Sequence, residues 1–298
     1  MTLIRINEGQ LPDNAALAAA AALPQGAPVI VMIHGFRFSP AAPDADPHRH
    51  ILALNPDLIS RRAMSWPRAL GFGSPCGEGL AIAFGWEARG SLRSAYLRAD
   101  AAGQSLAHGI DMLAQRAGRP VAMIGHSLGA RVALSALHHV TPGTVSRAIL
   151  LAAAEFRCAA ANAVASPAGQ RAEIINVTSR ENDLFDFGME LLLGGLQRQT
   201  LGFGLAEPAR NWIDVQIDDA DTLAVLAGLG FCMGRRTARL CHWSPYLRPG
   251  VFDFYRTALR QPWAVPLGLL RSALPVRPTP RWSRLFALPS DVTGLLRA

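Results

Sequence analysis

Apolar residues fall along the chain in two rhythms. Short unbroken runs recur at Val29-Ile30-Val31-Met32-Ile33, Leu80-Ala81-Ile82-Ala83-Phe84, Val121-Ala122-Met123-Ile124 and Ala148 to Ala153. A run of this length with nothing polar in it reads as a strand buried on both faces, as in a parallel sheet. Glu173 to Thr178 reads as a further strand, and Thr2 to Ile6 and Asn211 to Asp218 alternate as the first and last. Helical spacing marks an alanine-rich segment after Ile6, Asp100 to Arg116 closed by Gly118, the residues after Gly129, Ala159 to Val164, and Val251 to Leu259. Leu58 to Leu70 reads as a short helix stopped around Pro67, and Ala220 to Gly230 as a helix or an insertion. The class these elements predict is α/β.

Two stretches break the rhythm. Residues 39–79 are rich in Pro, Gly and Asp and long for a link between two strands, which suits a lid or pocket wall. Within them Asp44, Asp46, His48 and His50 have metal-ligand chemistry, but a solvated loop accounts for them more simply. Residues 262–298 are Pro- and Arg-rich, with scattered Leu and Trp, and too broken by Pro to span a membrane. They form an extension that packs on the body, covers the site or hangs free.

The stretch joining Val121–Ile124 to the next helix is Gly125-His126-Ser127-Leu128-Gly129. Gly-x-Ser-x-Gly between a buried strand and a helix is the arrangement that lifts a serine onto a sharp turn, with Ser127 Oγ above the sheet. The glycines leave room for backbones to pass. The Leu128 N–H at the helix start faces the place where an oxyanion would form, aided by the positive end of the helix dipole.

Composition narrows the alternatives. At 298 residues, half of them hydrophobic and 17% charged, the chain suits one large domain. The formal charge is +7, and all 29 basic residues are Arg. They are scattered, with no Arg run interleaved with aromatics, so nucleic acid is not an expected partner. Cys76, Cys158, Cys232 and Cys241 lie far apart with no C-x-x-C spacing; buried free thiols are expected, and no metal. The Ala15-to-Leu23 run is preceded by Glu8 and Asp13 where a secretory signal needs basic residues, so a cytoplasmic protein without membrane insertion is expected. No G-x-G-x-x-G or phosphate loop occurs, and no cofactor is expected.

Gly125-His126-Ser127-Leu128-Gly129 resembles the nucleophile elbow of α/β-hydrolases, esterases and lipases in particular. Ala130-Arg131-Val132, with Trp86…Gly90-Ser91-Leu92…Tyr96…Asp100 upstream, is similar to a bacterial subgroup of that superfamily with no assigned substrate. The similarity runs from about Val29 to Tyr255. It implies an α/β-hydrolase fold over residues 1–261, a mostly parallel central sheet with helices on both faces. It also implies that His34-Gly35-Phe36 carries the second oxyanion donor, the Phe36 N–H, with His34 bracing that loop. The family keeps its acid on the loop after a late strand, where Asp183 stands, with Asp186 as the alternative. The order Ser, acid, His then decides the base, because His242 is the only one of eight histidines after Asp183. The expected function is hydrolysis of a small-molecule carboxylic ester through an acyl-enzyme on Ser127, with His242 as base and Asp183 as acid. Thioesters, lactones and amides stay open as substrates, and so does a non-catalytic or lipid-binding relative; nothing indicates oligomeric state.

Overall fold

The apolar runs become strands β1 (Leu3–Asn7), β2 (Val29–Ile33), β3 (Leu80–Gly85), β4 (Val121–His126), β5 (Val145–Leu151), β6 (Glu173–Thr178) and β7 (Trp212–Gln216). In the computed structural model, which describes residues 3–57, 64–74, 79–194, 199–235 and 239–276, all seven pair in parallel in one sheet. The order across the sheet is β1-β3-β2-β4-β5-β6-β7. Helices cover both faces, so the class is α/β with a central parallel sheet, consistent with an α/β-hydrolase-like arrangement.

Alternation along a strand explains the two layers, since successive side chains point to opposite faces. Val31 and Ile33 of β2 join one apolar cluster, Ile30 and Met32 the other. Four helices cover the first face: α1 (Asn14–Ala21), α3 (Leu92–Ala117), α4 (Leu128–Ala136) and α5 (Arg157–Ala165). Chain order places α2 (Trp66–Ala69) between α1 and α3, and it packs on the second face. Beyond β6 come α6 (Asp183–Met189), continued by a π-helical turn over Glu190–Gly194, then α7 (Ala220–Gly228), α8 (Ser244–Leu247), α9 (Val251–Arg260) and α10 (Leu267–Ala273). Phe254 and Tyr255 of α9 and Leu270 of α10 complete the second layer. Helix α3 begins at Leu92, earlier than the Asp100 expected. Ser91 is its N-cap, accepting from the Ser94 N–H at 3.1 Å, a start signal that the periodicity alone passes over.

Large apolar side chains of both irregular stretches serve as core, against the lid or pocket wall expected of residues 39–79 and in line with packing on the body, one of the alternatives for the extension. In the described part of residues 39–79, Ile51, Leu52, Trp66, Leu70 and Phe72 are buried in the second layer. That segment is packed core rather than a lid. His48 is buried and its Nε2 lies 2.8 Å from Asn7 Oδ1, and His50 packs its ring on Phe38, so neither sits in a solvated loop. Of the expected helix over Leu58 to Leu70, only Trp66–Ala69 is helical, and residues 58–63 lie outside the described residues. Downstream, Val265, Leu267, Leu270 and Leu274 are buried against the same face, which carries the packed body past residue 261. Residues 277–298 lie outside the described residues.

Connections from neighbouring strands diverge at one place. β2 leads to β3 on one side, while β4 leads to β5 on the other. The carboxyl ends of β2 and β4 therefore open a crevice where α/β sheets hold their ligands. His34-Gly35-Phe36 leaves one end and Ser127 the other. No described helix is long and apolar enough to cross a membrane. Cys158 and Cys232 are free but exposed and Cys241 is half-buried, against the expectation of buried thiols; Cys76 lies outside the described residues.

Candidate active site

Ser127 stands at the junction of β4 and α4 with φ 55° and ψ −121°, a strained conformation for a residue other than glycine. The turn is tight enough that a Cβ on Gly125 would strike the Gly129 carbonyl, and one on Gly129 the carbonyls of Ile33 and His34. A Cβ on Gly35 would lie 2.9 Å from Ser127 Cβ, so the β2 loop runs directly beside the serine. That loop is braced by His34. The Trp86 N–H donates to His34 Nε2 at 3.0 Å, so the ring carries its proton on Nδ1, which lies 3.0 Å from the Gly35 carbonyl; Trp86 Nε1 returns a bond to the His34 carbonyl. Burial lowers the His34 pKa to about 3, which keeps the ring neutral. Bracing rather than proton transfer is what these contacts provide.

Two backbone donors bear on the crevice. The Arg37 N–H, next along the loop, is taken by the Ala88 carbonyl at 2.9 Å, whereas the N–H groups of Phe36 and Leu128 have no acceptor among the described residues. Leu128 opens α4, where an N–H has no intrahelical partner. This is the pair the sequence singled out for an oxyanion.

His242 lies in the loop before α8, its ring between Phe185 (centroids 4.9 Å apart, stacked) and His126 (4.6 Å). His126, the variable residue of Gly-x-Ser-x-Gly, donates from Nε2 to the His242 carbonyl at 2.9 Å and so ties the two loops together. Burial lowers the His126 pKa to about 4 despite that bond. Burial first, then the neighbouring His126, hold His242 well below the ordinary imidazole value.

Beside the imidazole the structure places an amide that the sequence reading did not consider. Asn182 Oδ1 lies 2.5 Å from His242 Nδ1. Asn182 Nδ2 in turn donates to Asp186 Oδ1 at 3.0 Å. The reason is helical phase. Asn182 caps α6 and shares a face with Asp186 four residues on, while Asp183 is rotated from it by about 100°. Asp183 is buried at the start of α6, close enough to raise the Asp186 pKa, and Asp186 stands behind the ring, one residue removed. Burial, then Asp183 and Glu190, push the Asp186 carboxyl well above the usual carboxylate range, offset in part by the Asn182 bond. Sequence reasoning passed over Asn182 because it looked for a carboxylate; the i, i+4 spacing of Asn182 and Asp186 was the signal available.

Ser127 and His242 open into one cavity of about 420 Å³, a size typical of small-molecule sites. Its walls are Phe36, Phe38, Leu92, Ala152 and Ala154 on one side and Leu184, Phe185, Met189, Leu192, Trp243 and Tyr246 on the other, with Arg37 and Asp186 adding the charged groups. No described residue between 39 and 79 lines it; the wall expected there is built instead by α6 and its π turn. Wider grooves beside Asp111 and Thr141, and along β1 near Arg5 and His48, hold no serine–histidine pair.

Comparison with known proteins adds a partial match. No curated protein matches the chain. Residues 89–185 are similar to a family described as a protein of unknown function (DUF726). The matched segment runs from the turn before α3 to the first residues of α6, so it holds Ser127, Asn182 and Asp183 but stops short of His242.

Proposed function

We propose that the chain is a serine hydrolase acting on carboxylic esters through an acyl-enzyme. The observation that carries this reading is Ser127, strained above the sheet between two backbone N–H groups with no acceptor among the described residues, in an apolar cavity shared with half-buried His242. Ser127 Oγ attacks the ester carbonyl as its proton passes to His242 Nε2. The carbonyl oxygen takes up the negative charge against the N–H groups of Leu128 and Phe36; one such donor is worth about 2.7–4 kcal/mol of barrier. Collapse of the tetrahedral species breaks the bond to the leaving alkoxide, which carries away the proton from Nε2. Water then repeats the sequence on the acyl-enzyme and frees the acid. A depressed His242 pKa keeps the ring unprotonated as the base at neutral pH. The predominantly apolar lining favours uncharged acyl groups, and thioesters, lactones or amides with such groups fit the same chemistry. Exposed free thiols suit a reducing compartment, and we place the protein in the cytoplasm on that ground.

Labelling with a fluorophosphonate probe and turnover of p-nitrophenyl esters of graded chain length test the reading. Both are expected in the wild type and both are lost in Ser127→Ala, with the fold intact because Oγ packs against nothing the core needs. His242→Ala is expected to fall about as far, since such groups act as a unit. A wild-type protein that neither labels nor turns over any ester, or a Ser127→Ala variant with unchanged turnover, overturns it.

A further inference from the structure

The strongest unassigned feature is the run of contacts behind His242. An amide is ambiguous as an orienting group, because it offers an acceptor at one end and a donor at the other. Turned one way, Asn182 accepts from His242 Nδ1–H and leaves a lone pair on Nε2. Turned the other way, it donates to Nδ1 and forces the proton onto Nε2, where the ring cannot take the serine's proton. Something must decide between the two. Asp186 does so by geometry: its Oδ1 takes the Asn182 Nδ2–H at 3.0 Å, which turns Oδ1 of the amide to the ring at 2.5 Å.

Resting on the serine-hydrolase reading, we propose that Asp186 is a positioning residue that sets the His242 tautomer through the Asn182 amide. The asparagine stands where a carboxylate is expected, and the carboxylate acts from one residue further back. A carboxylate at 186 only accepts, so it permits one amide orientation. A protonated carboxyl, or an asparagine there, also donates and permits both. Asp186 faces Asp183 and Glu190 on its own segment, Asn182 on the turn before it, and Gly202 of the Leu201–Phe203 turn, which has no ionisable side chain. Burial and the two acidic neighbours lift its pKa.

The test is a pair of substitutions and their combination, read by ester kinetics and by ¹⁵N chemical shifts of the labelled imidazole. Asp186→Asn is expected to lower kcat at least about tenfold with KM unchanged, the direction of a lost tautomer preference. Asn182→Asp presents an oxygen to the ring in either orientation, so adding it to Asp186→Asn is expected to restore most of the loss. A merely structural role for Asp186 gives a loss that Asn182→Asp does not rescue, and that result overturns the proposal, as does an Asp186→Asn variant with wild-type kcat. The wild-type imidazole spectrum at pH 8 answers without any variant: Nδ1–H at His242 supports the relay and Nε2–H overturns it. Because the tautomer is read without substrate, failure of the relay is separable from failure of the hydrolase reading, which Ser127→Ala decides.

Discussion

The two walls of the cavity are built on different principles. The wall carrying Ser127 and the oxyanion donors is made of the ends of adjacent parallel strands, and its braces are mostly local. His34 bonds its own loop and the residue after β3, Gly35 abuts the elbow, and β2 and β4 are buried along their whole length. The wall carrying His242 is made of turns and short helices joined by a few long-range links. Cys241 N–H donates to the Glu181 carbonyl at 2.9 Å, Arg248 pairs with Glu181 at 2.7 Å, and His242 meets Asn182. This wall also carries the apolar rim, with Leu184 56% and Leu192 66% exposed. Charge-stabilising donors therefore sit on the part of the fold with the most sheet behind it. The base and the substrate rim sit on a part held by single contacts.

The comparison breaks most sharply at Glu181. Its carboxylate and the Arg248 guanidinium are both buried, and Arg248 also donates to the Ile217 carbonyl. Removing one partner of a buried pair leaves the other charge uncompensated, at a cost of about 3–5 kcal/mol. Glu181→Ala is therefore expected to lower urea-unfolding stability by that amount and to lose ester turnover, since the residue beside it holds His242. A loss under about 1 kcal/mol would mean that the second wall has other supports and that the contrast is overdrawn.

The same contrast explains what could be read in the sequence. Ser127, Leu128 and Phe36 follow strand ends that unbroken apolar runs announce, so pattern and motif placed them together. His242 could be reached only by chain order, because nothing local marks it. Asn182 depends on the phase of a helix that starts within a residue of it, and on a contact across 60 positions, neither of which a residue-by-residue reading supplies. The segment at residues 39–79 misled for a related reason. Its Pro and Gly content describes its backbone, while Ile51, Trp66 and Phe72 decide where it packs. Those residues were visible, but their partners on α9 are far along the chain.

A smaller effect tests the first wall. His34 has a folded pKa of about 3, against 6.5 in an unfolded chain. Below pH 6.5 the unfolded state binds more protons, so stability from the neutral ring is fully present above that pH and is lost as pH falls toward 3. The slope approaches about 1.4 kcal/mol per pH unit for one such group. His34→Gln keeps an acceptor for the Trp86 N–H and removes the titration. Its unfolding free energy is expected to fall less steeply than the wild type's between pH 6.5 and 5, with the difference in slope near that value. Denaturant titrations at three pH values measure it, and using the difference cancels the opposing contribution of the buried carboxylates. Equal slopes would mean that His34 is not held neutral, and the first wall would lose its main brace.

The smallest effect on stability is expected at the rim, where it sharpens the contrast through specificity. Leu184 and Leu192 line the cavity yet remain more than half exposed, so the fold gains little from them. A long acyl chain leaving the cavity would cover them. Each methylene so buried is worth about 0.8 kcal/mol in the limit of full burial. The double substitution Leu184→Ser with Leu192→Ser is expected to leave unfolding stability within about 0.5 kcal/mol, as exposed sites generally do. Against p-nitrophenyl octanoate it is expected to lower kcat/KM several-fold, because one or two methylenes lose their cover at about 0.8 kcal/mol each. Against the acetate, whose chain ends inside the cavity, it should change nothing. An exposed change in the segment once expected to be the lid, Asp44→Ser, is the matched control and should move neither substrate. If the octanoate preference survives the leucine pair and shifts with Asp44→Ser, the substrate leaves by the other side of the cavity and the second wall is not its guide.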